Sequence, residues 1–408
     1  MTRTTGVWGV GPTARYAGLA ARFRPLFERI RQGAVQRELE RRLPVEQLGW
    51  LKEAGFGAVL LPEEVGGAGA TIAEFFELLA ELAQADSNLP QALRVHFQSV
   101  ENVLVAPGSN WRDRWIARLA KGETIGSAWT EVNTGAKAGT FATRVVRDGE
   151  GWRLNGTKYY TTGSIFADWI NVGAVDEADE HVSVHVPTRA SGVSIVDDWD
   201  GFGQTLTGSG TASFVDIPVA GEEIRPAGET FGYSAAWLQV NHLATLVGIV
   251  RAAAEEVAEA VAERQRTYTH GAADRASRDP QVLQVVGRVH SQAYAAGGIL
   301  QHAVRALQRC RDATLKGEPE ASEAANIRAE IEIAQAQTTI ASLVLDATTQ
   351  AFDALGASAT LRSKGLDRHW RNARTVSSHN PLIYKERIVG DYAVNRTPPP
   401  FQWHIGQA

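Results

Sequence analysis

The densest set of residues able to do chemistry lies near the end of the chain, in LDRHWRNARTVSSHNPLIYKERIVGDYAVN, residues 366–395. Asp367, Arg368, His369, Arg371, Asn372 and Arg374 crowd into eight positions, and the pattern then breaks at Ser377-Ser378-His379-Asn380-Pro381. It restarts with Tyr384, Lys385, Arg387 and Asp391. A polar break ending in proline, between two helix-like segments, reads as a loop held on a rigid scaffold, where binding and catalytic groups concentrate. A capped surface connection between helices would explain the Ser, Asn and Pro, but not so cationic an approach. Within the break, His379 is the side chain whose ordinary pKa lies near neutral pH, which suits it to hold or move a proton. Asn380 beside it has no ionisable group and cannot serve as a carboxylate base.

The elements that must position this loop follow from periodicity. From about Ala14 to Lys121 apolar residues recur at helical spacing, as in Leu19, Phe23, Leu26, Phe27 and Ile30. Val45–Ala54 forms a short amphipathic segment behind Pro44, and Ala54–Thr71 is a Gly-rich connection. Thr71-Ile72-Ala73-Glu74 is a capping-box pattern, predicting a helix over Ile72–Ala85. Around Thr124 the chain turns to short segments rich in Val, Thr and aromatics: 142–147, 151–154, 159–162, 169–175, 181–187, 193–196 and 211–217. Gly, Asp and Asn separate them, the spacing of a β-sandwich or barrel. Helical periodicity returns from about Ser234 over 235–268, 280–315 and 322–355, long enough to pack as a bundle. The expected fold is therefore α+β and multidomain. An N-terminal helical domain (1–123) and a central β-barrel or sandwich (124–228) precede a C-terminal four-helix bundle (229–408).

Composition bounds the rest. With 408 residues, 44% hydrophobic and 21% charged, the chain has the profile of a soluble globular protein of two or three domains. A net charge of −5 with interspersed signs offers no footprint for nucleic acid or anionic lipid. The basic run Arg37–Arg42 also holds Glu38 and Glu40 and reads as a solvated helix face. The single cysteine, Cys310, excludes an internal disulfide and a Cys-rich metal site; no metal is expected. The amino terminus lacks the apolar core of a secretory signal, and no apolar run reaches the roughly 20 residues of a membrane span. A cytoplasmic protein is the default expectation. Glycine-rich dinucleotide and P-loop patterns are missing, as are H-E-x-x-H and G-x-S-x-G, so a self-contained NAD- or ATP-using module is not expected.

Four local patterns carry a resemblance. Gly55-Phe56-Gly57 with Leu61-Pro62-Glu63-Glu64 and Gly66-Gly67 resembles the N-terminal signature of the acyl-CoA dehydrogenase superfamily. Ala128-Trp129-Thr130-Glu131 and Leu154–Gly163 are similar to its two flavin-contacting β segments, and Gly203-Gln204 onward to its later strands. Where its dehydrogenases carry the catalytic glutamate, this chain has His379-Asn380-Pro381. The local text instead resembles the flavin-dependent monooxygenase branch, which includes dibenzothiophene monooxygenases and sulfur-acquisition oxidoreductases. The matching residues are Asp198–Gln204, Thr207–Thr211, Asp279-Pro280, Asp367–Arg374 and Gly390-Asp391-Tyr392.

That resemblance implies a two-component enzyme. A separate NAD(P)H:flavin reductase supplies reduced FMN (FAD is the alternative), and O2 forms a C4a-hydroperoxyflavin. The adduct then oxygenates a small apolar substrate, at sulfur in the first instance. It implies His379, Asn380 and His96 as catalytic residues, and Trp129, Thr130, Tyr160 and Thr162 along the flavin ring. Arg275, Arg371 and Arg374 are the candidates for its phosphate, and Trp199 and Phe202 for the substrate side. A homotetramer is the family habit. The alternatives are an acyl-CoA dehydrogenase with its base moved to Glu255 or Glu256, and a non-catalytic paralogue. Val376, Ser127 and Thr205 stand where the branch commonly has His, Asn and Arg, and bear on both flavin hold and substrate.

Overall fold

Residues 7–131 and 141–401 are described by a computed structural model; the first six residues of the amino-terminal stretch lie outside it. Helical periodicity in the first third produces α1 (Tyr16–Gln32), α2 (Ala34–Glu40), α3 (Val45–Glu53), α4 (Ile72–Ala85), α5 (Asn88–Ala92), α6 (Arg94–Val105) and α7 (Asn110–Ala120). The capping box forms as expected. The Glu74 backbone N–H donates to the Thr71 hydroxyl at 3.2 Å, and the Thr71 N–H donates to the Glu74 carboxylate at 2.9 Å. Desolvation pushes the Glu74 carboxyl up, but hydrogen bonds from Arg15, Thr13 and Thr71 outweigh it and hold the pKa at about 2.

The β segments form one sheet. Its strands are β1 (Ile125–Ala128), β2 (Arg144–Asp148), β3 (Gly151–Lys158), β4 (Trp169–Val175), β5 (His181–Pro187), β6 (Val193–Val196), β7 (Thr211–Val219) and β8 (Ile224–Pro226). Their order is β6-β7-β3-β2-β4-β5-β8, with β1 parallel to β4 so that Ile125 faces Trp169. Val145, Leu154, Ile170, Val172, Val184, Val186 and Phe214 fill its core. One expected strand does not form. After β3 the chain makes a single bridge, with Tyr159 opposite Thr130, and turns at Tyr160, whose φ of 57° is left-handed and takes the chain out of the extended ladder.

The second half is α8 (Ser234–Glu263), α9 (Pro280–Lys316), α10 (Pro319–Gln350), α11 (Asp367–Ser377) and α12 (Leu382–Asn395). Asp279 caps α9 by accepting from the N–H groups of Gln281 and Val282, with Pro280 at the first helical position. Cys310 is buried in α9. The two helical regions share one apolar core: Phe75 of α4 stacks on Trp237 of α8 with centroids 5.8 Å apart. A Cβ on Gly248 would lie 2.3 Å from the Ala83 Cβ, so only glycine admits this approach of α4 to α8.

The run Arg37–Arg42 is a solvated face only from Leu39 onward; its first two residues are buried. Arg37 is 3% exposed, and its guanidinium bonds the Asp86 carboxylate at 2.9 Å. Glu38 is buried as well and accepts from the Asn88 amide at 3.2 Å and from Arg371 at 3.3 Å. Alternating charge reads as solvent-facing because each ion is costly to bury alone; here partners from three separate elements offset that cost.

Removing one member of such a pair leaves an uncompensated buried charge. Arg37→Met should lower stability by about 3–5 kcal/mol, and adding Asp86→Asn, which removes the stranded charge but keeps an acceptor for Asn88, should recover part of it. Urea midpoints of the single and double variants measure both. The buried imidazoles give a second expectation. Desolvation lowers His96 to about 4 and His185 to about 3. Both stay neutral in the fold, while the unfolded chain takes up their protons below its ordinary pKa of about 6.5. Their contribution is complete above that pH and is lost as pH falls toward 4, so the urea midpoint should drop from pH 7 to pH 5. His185→Asn should flatten that slope.

Candidate active site

Where the sheet meets the bundle, three stretches without regular structure come together. The first is the turn after β3. Lys158 and Glu131 form a buried ion pair at 2.6 Å, and the Tyr159 N–H donates to the Thr130 carbonyl at 2.8 Å, fixing Thr130 beside the turn. Desolvation lowers Lys158 to about 8. Tyr160 then adopts its left-handed φ and presents a ring that is 48% exposed. For a bulky residue this conformation costs of order 1–3 kcal/mol, and such strain gathers at functional sites. Trp199 meets the Tyr160 ring edge-on at 5.9 Å.

The second stretch is the loop 197–210. Thr162, Ser209 and Thr207 are buried and linked by hydroxyl contacts of 2.7 Å each, and Thr207 donates to the Gln204 carbonyl at 2.9 Å. A hydroxyl carries one proton. Because Thr207 gives its proton to the carbonyl, Ser209 must donate to Thr207 and Thr162 to Ser209. Thr162 is thereby left as an oriented acceptor. The loop is clamped from outside. The Gln204 N–H donates to the Asn372 side-chain oxygen at 2.5 Å, the Leu206 N–H to the Asn88 side-chain oxygen at 3.2 Å, and the Gln204 amide to Ser87. A Cβ on Gly203 would sit 2.2 Å from the Arg371 carbonyl.

The third stretch is the α11–α12 turn, 378–381. His379 reaches α8, where its ring centroid lies 4.4 Å from that of His242, tilted by 41°. His379 has an exposed face, yet the surrounding protein, and then the Arg94 cation, push its pKa down to about 3 against a hydrogen bond that the ring N–H donates to Asn380. Water reaches one side of the ring while protein covers the rest. The covering protein and the Arg94 cation favour neutral imidazole at neutral pH. His242 is 3% exposed, neither of its ring nitrogens has a hydrogen-bond partner, and burial drives its pKa well down. The two surface depressions of about 450 and 440 Å³ lie elsewhere, at Tyr233–Phe401 and Leu60–Arg311, and hold none of these residues.

The remaining expected residues fall in three groups. Trp129 packs against Phe141 at 6.1 Å and over Gly173, where a Cβ would come within 2.7 Å of its ring. Phe202 is exposed and stacks on Trp370 at 6.0 Å, outside the Tyr160–Trp199 contact. His96 is 1% exposed; its Nε2 faces the Gly57 carbonyl at 2.9 Å and its Nδ1 accepts from the Ile125 N–H at 3.3 Å. With both nitrogens on backbone, it fixes β1 against α6 and has no ring nitrogen left for a ligand. Arg371 bonds Asp367 at 2.8 Å, Glu38 at 3.3 Å and the Phe202 carbonyl at 2.8 Å, which makes it part of the clamp. Arg374 and Arg275 are exposed, and their guanidinium groups have no hydrogen bond or ion pair among the described residues. Arg275 follows α8, whose last residue is 21 positions beyond His242, about 32 Å along the helix. The two residues that sequence reasoning passed over are Arg94 and His242. A signal was present: Asn241-His242 interrupts an otherwise apolar stretch of α8.

Two carboxylates considered as a relocated base are engaged elsewhere. Glu256 is 14 positions from His242, about 21 Å along α8, and is held by Arg368 and by His369 at 2.9 Å. Glu255 lies in the field of Arg31 on α1.

Comparison with known proteins agrees with this architecture. Residues 20–123, 126–217 and 240–382 match the acyl-CoA dehydrogenase N-terminal, middle and C-terminal domain models respectively. The chain is 28% identical over 396 residues to a dibenzothiophene monooxygenase of Mycolicibacterium goodii, covering 92% of this chain and 93% of that one. It is 26% identical over 386 residues to a probable FMNH2-dependent monooxygenase, SfnC, of Pseudomonas putida, covering 92% and 94%. Among solved structures, TdsC of Paenibacillus sp. A11-2, in complex with FMN and indole, superposes with a TM-score of 0.83 at 26% identity over 95% of this chain and 98% of that one. The methanesulfinate monooxygenase MsuC of Pseudomonas fluorescens shares the fold, with a TM-score of 0.83 at 24% identity. With all three domain types matched in order, and monooxygenases among its full-length relatives, the chain belongs to the acyl-CoA dehydrogenase family, in its flavin-dependent monooxygenase branch.

Proposed function

We propose that this chain is a two-component monooxygenase that takes reduced FMN from a separate reductase and uses O2 to oxygenate a small organosulfur substrate at sulfur. One observation carries the reading. The turn that would bring a catalytic carboxylate to the flavin in a dehydrogenase holds His379-Asn380, and Glu255 and Glu256 are turned to other partners. Removal of a proton from an acyl thioester needs a base there; neutral imidazole and an amide instead offer hydrogen bonds around activated oxygen. The organosulfur target is supported by the dibenzothiophene monooxygenase at 28% identity.

The residues present fit a flavin. Tyr160 offers an exposed aromatic face, Thr130 a backbone-fixed neighbour, and Thr162 an acceptor whose polarity is set by Ser209 and Thr207. FMN, when bound and reduced, supplies the electrons that let O2 give one atom to substrate and the other to water. The chain's own work is to orient the ring through Thr162 and Tyr160, to keep His379 neutral beside it, and to exclude water through the clamped loop. Arg275 and Arg374, exposed cations without a side-chain partner among the described residues, are the candidates for the phosphate. From the far end of α8, Arg275 serves a neighbouring copy in a homotetramer, which makes association part of the reading.

FMN should quench saturably in its own fluorescence when titrated with the protein, and Thr162→Val should weaken that binding roughly tenfold, the loss of one hydrogen bond. In single turnover with photoreduced FMN, labelled O2 and an organic sulfide, label should enter the sulfoxide. His379→Ala should divert electrons to hydrogen peroxide and lower oxygenation on the order of a hundredfold, with FMN binding retained. Anaerobic bleaching of bound flavin by an acyl-CoA would overturn the proposal.

A further inference from the structure

The junction of sheet and bundle holds a cation that the reading above does not use. Arg94 opens α6 and makes no hydrogen bond or ion pair among the described residues; its Nε is sealed from solvent and unbonded. Its charge reaches both His242 and His379, which face each other at 4.4 Å. No carboxylate among the described residues counters it, and the undescribed segments 1–6, 132–140 and 402–408 contain no Asp or Glu. His242 adds two buried, unpartnered ring nitrogens to the same spot. An arginine inside a protein is ordinarily paired, because an isolated buried cation is costly. Elsewhere this fold follows the rule: Arg37 meets Asp86, Arg251 meets Glu77, and Arg368 meets Glu256. A part-buried guanidinium left without an acid, beside the unsatisfied imidazole of His242 and the half-open ring of His379, has the composition of a site for a small oxyanion.

We propose that Arg94, with His242, binds the anionic end of the substrate, so that this enzyme acts on an organosulfur acid and not on a neutral sulfide or thiophene. The inference rests on the oxygenase reading and deepens it. Arg94 supplies a forked pair of donors to a carboxylate or sulfinate oxygen pair, and His242 Nδ1–H or Nε2–H a further donor. The substrate is thereby held by its charged end, with its sulfur directed toward His379.

The test separates the acid from its neutral counterpart. Isothermal titration of the FMN-loaded protein with (phenylthio)acetate should show binding at least about tenfold tighter than with its methyl ester, and benzenesulfinate should compete with the acid. Arg94→Gln should abolish the preference while Arg94→Lys retains part of it. Stability gives a readout independent of binding. If Arg94 serves only the fold, Arg94→Gln lowers the urea midpoint; as an unpaired cation awaiting a ligand, its removal raises the midpoint, and the acid then no longer stabilises the variant. Equal or tighter binding of the ester, or a lowered midpoint, overturns the proposal. An Arg94→Gln variant that loses affinity for FMN but not for riboflavin also overturns it, by assigning the cation to the flavin phosphate. Failure of the wild-type protein to bind FMN at all would instead remove the oxygenase reading on which the proposal stands.

Discussion

The site depends on a buried polar seam that joins three parts of the chain. Asp86 holds Arg37 and the Asn88 amide, Asn88 reaches Glu38 and the Leu206 backbone, and Asn372 takes the Gln204 N–H. Arg371 then ties Glu38 to the Phe202 carbonyl. Apolar packing alone would bring sheet and bundle together, but it is non-directional and would leave the loop 202–209 free to slide. Directional bonds to its backbone remove that freedom. A loop fixed at Gln204 and Leu206 fixes Thr207 and Ser209, and through them the proton order that makes Thr162 an acceptor.

Part of the cost of this arrangement falls where function would need it. Among the non-glycine residues with left-handed backbone, Tyr160 and Gln204 belong to the loops at the junction of sheet and bundle. His242 and Arg94 keep unsatisfied polar atoms a short way off. A fold selected for stability alone would replace such groups with apolar ones or give them partners. The ions of the seam are paired while these groups are not, which marks the junction as a place where the protein gives up stability.

Architecture was legible in the sequence because periodicity is local. The helix over 72–85 and the strands 169–175, 181–187 and 193–196 have the bounds that patterning predicts. Tyr159–Thr162 looked like a strand because its residue types favour one; a tertiary demand for a turn at Tyr160 prevailed over propensity. The burial of Arg37 and Glu38 was invisible for a different reason: their partners, Asp86, Asn88 and Arg371, lie as much as 333 positions away. Chemistry was legible only where it sits in one continuous run. His379-Asn380 could be picked out by its own neighbours, whereas Arg94 and His242 matter through what fails to pair with them, which no single stretch of sequence displays. His96 shows the converse: a histidine in a suggestive setting whose two nitrogens prove to be satisfied by backbone.

The central claim is that the junction of sheet and bundle receives the flavin with its reactive edge toward a neutral imidazole. A crystal structure of the protein soaked with FMN tests it most directly. The account predicts the isoalloxazine lying along Tyr160, one ring nitrogen within hydrogen-bond distance of Thr162 Oγ1, and His379 facing the same edge. Flavin bound elsewhere, or an isoalloxazine whose reactive edge faces a carboxylate while His379 points to bulk solvent, would contradict it.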